Sequence, residues 1–169
     1  MRIHIRTLRD DDHVALLAFE VANRQWFERF IEARDPAVYS PAGIKRHIGD
    51  CLAGYRQDSL HPCVITAPDG SILGRANLKD IDQATGVAEV GYRIAQAATG
   101  QGLATRALHH LAETARGRGL AQLVAIVSVA NPASAAVAQH AGFRREAWLP
   151  SYAALATGTQ DCWRYRLVL

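Results

Sequence analysis

Residues 91–129 constrain the fold more than any other stretch of this 169-residue chain. A strand-like run ending Gly91-Tyr92-Arg93-Ile94 leads to Thr99-Gly100-Gln101-Gly102, and that glycine-rich turn opens into Leu103-Ala104-Thr105. From there Leu103, Ala107, Leu108, Leu111, Ala112 and Ala115 recur at helical spacing as one apolar stripe. Gly117 and Gly119 end the helix, and Leu123 to Val129 reads as a buried strand. Strand, helix, strand is a crossover unit whose two strands run parallel. Glycines in such a turn let successive backbone N–H groups point into one concavity. The positive end of the helix falls on the same spot, so the turn suits a phosphate or pyrophosphate. A purely structural turn is the plainer alternative.

The rest of the chain does not continue that alternation. Residues 2 to 8 set Ile3 and Ile5 against Arg2, His4 and Arg6, the pattern of an opening strand. Asp10-Asp11-Asp12 makes an acidic start to a helix through Val14, Leu16, Leu17 and Phe19. A second amphipathic stretch is expected over Gln25 to Ala33, carrying Trp26, Phe27, Phe30 and Ile31 and stopped by Asp35-Pro36. Pro41 to Tyr55 reads as a further helix with Ser40 as its N-cap. Strands Cys63 to Ala67 and Ile72 to Leu78 flank a Pro68-Asp69-Gly70-Ser71 turn, and another strand spans Gly86 to Ile94. After the crossover come a short helix over Pro132 to His140 and two closing strands, Arg144 to Leu149 and Cys162 to Val168. The sum is a mixed α/β chain with an antiparallel front half, read as one domain over residues 1–169.

Composition excludes several classes. Hydrophobic residues make up 49% of the chain, enough to bury a core and exclude disorder as the main state. No apolar run approaches the ~18 residues a membrane span needs. A net charge of +3, spread along the chain, is too small for nucleic-acid binding. Cys51, Cys63 and Cys162 lack the pairing of a disulfide framework or the spacing of a zinc site. His109 and His110 are adjacent on a helix and point apart, so no metal is implied. Reduced thiols and the absence of an apolar leader point to the cytoplasm.

The turn is no P-loop, because no Gly-Lys-Ser/Thr follows. It is no dinucleotide site either, because Leu120 to Val129 offers no carboxylate to hold a ribose. At this segment the sequence resembles the GNAT acetyltransferase superfamily, whose acetyl-CoA motif Arg/Gln-x-x-Gly-x-Gly/Ala aligns with Thr99-Gly100-Gln101-Gly102-Leu103-Ala104. Thr99 departs from the usual Arg or Gln. Asn131-Pro132-Ala133-Ser134 followed by Ala141-Gly142-Phe143 looks like the matching segment of the ribosomal-protein-alanine branch. Asn23-Arg24, Trp26, Arg34-Asp35, Tyr39-Ser40 and Glu89-Val90-Gly91-Tyr92 also stand where that branch has similar residues.

The resemblance implies a GNAT fold: a central, mostly antiparallel twisted sheet of six to seven strands with a splayed parallel pair, flanked by helices. It implies acetyl-CoA as cosubstrate, held by Tyr92, Ile94, Thr99, Gly100, Gln101, Gly102, Leu103, Ala104, Thr105 and Asn131. Glu89 would be the general base for the attacking amine, since that amine must lose a proton. Ser134 would serve the departing thiolate, because Ala138 stands where many GNAT enzymes carry a Tyr. A solvated carboxylate is the plain reading of Glu89, and helix capping that of Ser134. Asn23, Arg24, Trp26 and Tyr39 are the acceptor-side candidates. Trp26, Phe27 and Phe30 could equally be core. The implied acceptor is a protein N-terminal α-amine; the rivals are a small amine such as a polyamine, amino acid or aminoglycoside, or a CoA-binding module without turnover. No nucleic acid or membrane partner is expected, and a homodimer is left open.

Overall fold

The computed structural model describes residues 1–169. In chain order the elements are β1 (His4–Thr7), α1 (His13–Phe27), α2 (Pro41–Arg56), β2 (His61–Thr66), β3 (Ile72–Asp82), β4 (Val87–Ile94), α3 (Leu103–Gly117), β5 (Gln122–Ser128), α4 (Pro132–His140), β6 (Arg144–Leu155) and β7 (Gly158–Val168). The strands form one seven-stranded sheet in the order β1-β2-β3-β4-β5-β7-β6. Every neighbouring pair is antiparallel except β4 and β5. The mixed α/β GNAT architecture expected from the sequence is therefore present.

The expected apolar stripe of α3 is buried in full, with Leu108 and Leu111 completely enclosed. Each such leucine contributes roughly 1.5–3 kcal/mol relative to exposure. Ser40 caps α2 by accepting from the Gly43 N–H at 3.0 Å, and Pro41 takes the first helical position, where a missing N–H costs nothing. No helix is long and apolar enough to cross a membrane. All three cysteines are free and buried, and burial pushes the Cys63 thiol up to about 12.

Two expectations are corrected. No separate helix spans Gln25 to Ala33. Leu16, Phe19, Glu20, Asn23 and Phe27 form one continuous buried stripe, so Trp26 and Phe27 finish α1. The chain then turns, with the Phe30 and Ile31 N–H groups both donating to the Phe27 carbonyl. Nor do the two closing strands stop at Leu149 and resume at Cys162. The stretch from Ser151 to Gln160 extends β6 and β7 into a long hairpin. The register slips between Leu149 and Ala153, where Pro150 has no N–H to give the ladder, and Ser151 takes φ 49° and donates to Asp161 Oδ1 at 2.7 Å.

Alternation along β4 decides what each face of the sheet carries. Arg93 points to the α1–α2 face, where both oxygens of Glu20, wholly buried on α1, accept from its guanidinium at 2.8 and 3.0 Å. Arg34 reaches the same carboxylate at 3.3 Å and Arg75 comes within 4.0 Å. One carboxylate thus compensates three arginines. Burial still pulls the Arg93 guanidinium down to about 10 despite Glu20. Arg75 also donates to His47 Nε2 on α2 at 2.8 Å, which requires a neutral imidazole. Burial, then the positive charges of Arg75, Arg34 and Arg93, depress His47 to about 3.

This arrangement has a pH consequence. The unfolded chain protonates His47 near its ordinary 6.5, whereas the folded protein keeps it neutral to about 3. Between those values the unfolded state binds the extra proton. The stability contributed by the neutral ring is full above pH 6.5 and is lost as pH falls toward 3. Thermal unfolding should show Tm dropping across that window in the wild type and dropping less in His47→Gln; parallel curves would remove His47 from the acid response.

Candidate active site

The parallel ladder between β4 and β5 is short. It pairs Val87–Val90 with Gln122–Ala125 and stops, although both strands continue. Beyond it the strands part. Ala95 donates to the Leu73 carbonyl on β3, so by alternation the N–H groups of Tyr92 and Ile94 face away from β3, into the gap. The gap opens as a cleft of about 870 Å³.

On the α3–α4 side the cleft is bounded by Thr99, Gly100, Gly102, Leu103, Ala104 and Thr105. Gly100 and Gly102 hold φ of +73° and +74°, a conformation glycine adopts without strain, and neither has an atom within 4 Å of where a Cβ would stand. Gly102 is the N-cap of α3 and no side chain caps the helix, so its first N–H groups face the cleft unclaimed. An open cradle at the positive end of a 15-residue helix fits a pyrophosphate. The Thr99 hydroxyl is turned back onto the Gln96 carbonyl at 2.8 Å. Gln101 does not line the cleft: it is exposed and donates to the Ala97 carbonyl at 3.4 Å.

Helix capping, the plain alternative for Ser134, falls to Asn131 instead. The cap of α4 is Asn131, whose Oδ1 accepts from the Ser134 N–H at 3.1 Å. Asn131 lines the cleft as well, and the Ser134 side chain is left free of capping. Ser134 Oγ lies 2.7 Å from the Tyr92 hydroxyl instead. Burial raises the Tyr92 phenol above its usual range, against a smaller lowering by Ser134, so it stays protonated at neutral pH. Sequence reading missed this pair. It depends on β4 and α4 meeting across 42 residues.

Glu89 and Lys79 meet on the opposite face, where Glu89 Oε1 sits 3.0 Å from Lys79 Nζ. Trp26, Phe27, Phe30 and Ile31 complete that mouth of the cleft. Glu89 is the one carboxylate among the lining residues. The cleft therefore passes through the sheet, with the helix-start cradle and Ser134 on one face and Glu89 on the other. Of the four acceptor-side expectations, only Trp26 reaches it. Asn23 is a fastener, donating to the Phe19 carbonyl and accepting from the Gln96 N–H, each at 2.9 Å. Arg24 pairs with Glu28 at 3.0 Å and lies 4.2 Å over the Tyr39 ring, and neither Arg24 nor Tyr39 lines the cleft. No group of three or more His, Cys, Asp or Glu residues is placed to hold a metal.

Comparison with known proteins agrees with this geometry. Residues 2–144 match the acetyltransferase (GNAT) domain family, and the chain belongs to that family. It is a GNAT acetyltransferase that uses acetyl-CoA. No curated protein sequence matches it. Among solved structures it is similar to the ribosomal-protein-S5-alanine acetyltransferase from Vibrio fischeri, with a TM-score of 0.94 at 19% identity over 99% of this chain and 93% of that one. It is also similar to Mycobacterium smegmatis RimJ in complex with CoA-disulfide (TM-score 0.91, 24% identity, 98% and 81% covered). The spermidine N-acetyltransferase from Vibrio cholerae in complex with CoA and spermine follows at 0.82 and 18% identity, covering 98% and 95%.

The capping of α4 by Asn131 is measurable. Asn131→Ala should lower the unfolding free energy by about 1 kcal/mol in urea titration, the cost of a lost N-cap. An unchanged unfolding free energy would contradict the capping assignment.

Proposed function

We propose that this enzyme acetylates the α-amine of a protein N-terminus, with Glu89 as general base and Ser134, backed by Tyr92, serving the departing sulfur. The observation that carries this reading is the charge of the acceptor mouth. Its only carboxylate is Glu89, and Lys79 already pairs with it. A polyamine carries several cationic groups and needs several carboxylates to hold them. An apolar mouth of Trp26, Phe27, Phe30 and Ile31 suits the first side chains of a peptide, with one carboxylate for its single amine. The names of the Vibrio fischeri and Mycobacterium smegmatis neighbours, both at higher structural similarity than the spermidine enzyme, support the same choice.

Bound acetyl-CoA supplies the activated acetyl carbonyl. The backbone N–H groups of Tyr92 and Ile94 and the amide of Asn131 would receive the pantetheine arm. The N–H groups from Gly100 to Thr105 would receive the pyrophosphate. Glu89 takes the proton of the incoming amine. The Ser134 hydroxyl meets charge as it builds on sulfur, and the Tyr92 phenol replenishes it. This provides the phenol that Ala138 does not. Gln101, Asn23, Arg24 and Tyr39 have no direct part. Three unpaired cysteines accord with action in the reducing cytoplasm.

Thiol release from acetyl-CoA tests the reading. A peptide with a free N-terminus should support turnover, whereas its N-terminally blocked form and spermidine should not. In the same assay Glu89→Gln should lower turnover about 100-fold with acetyl-CoA affinity retained. Ser134→Ala should also slow turnover without weakening cosubstrate binding. Faster turnover of spermidine than of the peptide, or full activity in Glu89→Gln, would contradict the proposal.

A further inference from the structure

We propose that Lys79 is itself an acetyl acceptor: with no external amine in the cleft, the enzyme acetylates its own Lys79 Nζ. The inference rests on Glu89 as the proton acceptor proposed above. Lysine and arginine together number 19 in this chain, and only Lys45 and Lys79 are lysines. Apart from Lys45 every other basic side chain of the two types is an arginine, whereas the cleft carries a lysine, a group that can become a nucleophilic amine. Lys79 Nζ lies 3.0 Å from Glu89 Oε1, within reach for direct proton transfer. Gly91 gives it its path. A Cβ at that position would stand 3.2 Å from Lys79 Cε and 3.5 Å from Nζ, so the lysine runs through the space a side chain there would fill. Gly91 is also the first residue of β4 beyond the ladder with β5, where the cleft opens through the sheet. The Lys79 side chain remains 43% exposed, so packing does not enclose it beside Glu89.

The step balances. Lys79 Nζ passes one proton to Glu89 Oε1, and the freed lone pair forms the N–C bond to the acetyl carbonyl carbon of acetyl-CoA. The C–S bond breaks with its electron pair on sulfur. The nitrogen's second proton reaches that sulfur through the Ser134 hydroxyl, and Glu89 later releases its proton to water. The products are Nζ-acetyl-lysine, the CoA thiol and one proton. Acetylation removes the cation that pairs with Glu89 and lays an acetamide across Gly91, in the path of an external acceptor.

Lys45, exposed on α2 and away from the cleft, is an internal control for uncatalysed chemistry. The full chain is incubated with acetyl-CoA alone, and acetyl occupancy at both lysines is quantified by peptide mass spectrometry. Occupancy at Lys79 should exceed that at Lys45 by at least about 10-fold. It should fall to the Lys45 level in Glu89→Gln, and fall when a turnover-competent peptide is in excess. Equal occupancy at the two lysines, or undiminished Lys79 acetylation in Glu89→Gln, overturns the proposal. An unmodified Lys79 in an enzyme that acetylates the peptide overturns it and leaves the peptide reading standing; failure of both reactions removes the two together.

Discussion

Four residue pairs of parallel ladder hold the centre of this sheet, and the point where that ladder stops determines the rest. Continuing β4 and β5 as partners would satisfy more backbone groups, each hydrogen bond contributing about 0.5–1.5 kcal/mol net. The separation forgoes those bonds and leaves the Tyr92 and Ile94 N–H groups open in a cleft. It also makes a passage between the two faces of the sheet. The helix-start cradle lies on the face of α3 and α4, and the carboxylate that can accept a proton lies on the face of α1. A long, thin cosubstrate can meet both only by threading the sheet.

A strand released from one neighbour must be held by other contacts. Glu20 of α1 grips Arg93, and Asn23, one turn further along the same helix, accepts from the Gln96 N–H just past the strand end. From the opposite face Ser134 meets Tyr92. The free end of β4 is thus pinned from both sides by charged or polar contacts, leaving its outward backbone groups available. The Glu20 cluster is a buried ion network, expensive to desolvate, and removing its one anion would leave three arginines uncompensated. Its position beside the cleft makes it a scaffold for the site rather than a participant in the reaction.

The crossover was legible in the sequence because each of its signals is local: the Gly100–Gly102 turn, the α3 stripe and the β5 run. The seven-strand architecture followed from those signals together with the family resemblance. The acceptor side was much less legible. Asn23 and Arg24 were acceptor-side candidates through the family resemblance alone, yet their side chains are committed to Gln96 and to Glu28 and Tyr39. Lys79 could not be paired with Glu89 by counting back from the hairpin turn. A register shift between Lys79 and Asp82, with Asp80 at φ 47°, moves it by one residue, and one residue changes the face. The capping assignment at α4 was similarly hidden, since Asn131 and Ser134 are both suited to a helix start and only the meeting of α4 with β4 separates their roles.

Hydrogen exchange on the free and acetyl-CoA-bound protein tests most directly whether the separated strands are where the cosubstrate binds. The account predicts slowed exchange at the amides of Tyr92 and Ile94 and from Gly102 to Thr105, with the distal β6–β7 hairpin around Leu155 and Gly158 unchanged. Saturating acetyl-CoA with no protection at Tyr92 and Ile94, or with protection confined to the hairpin, would contradict it.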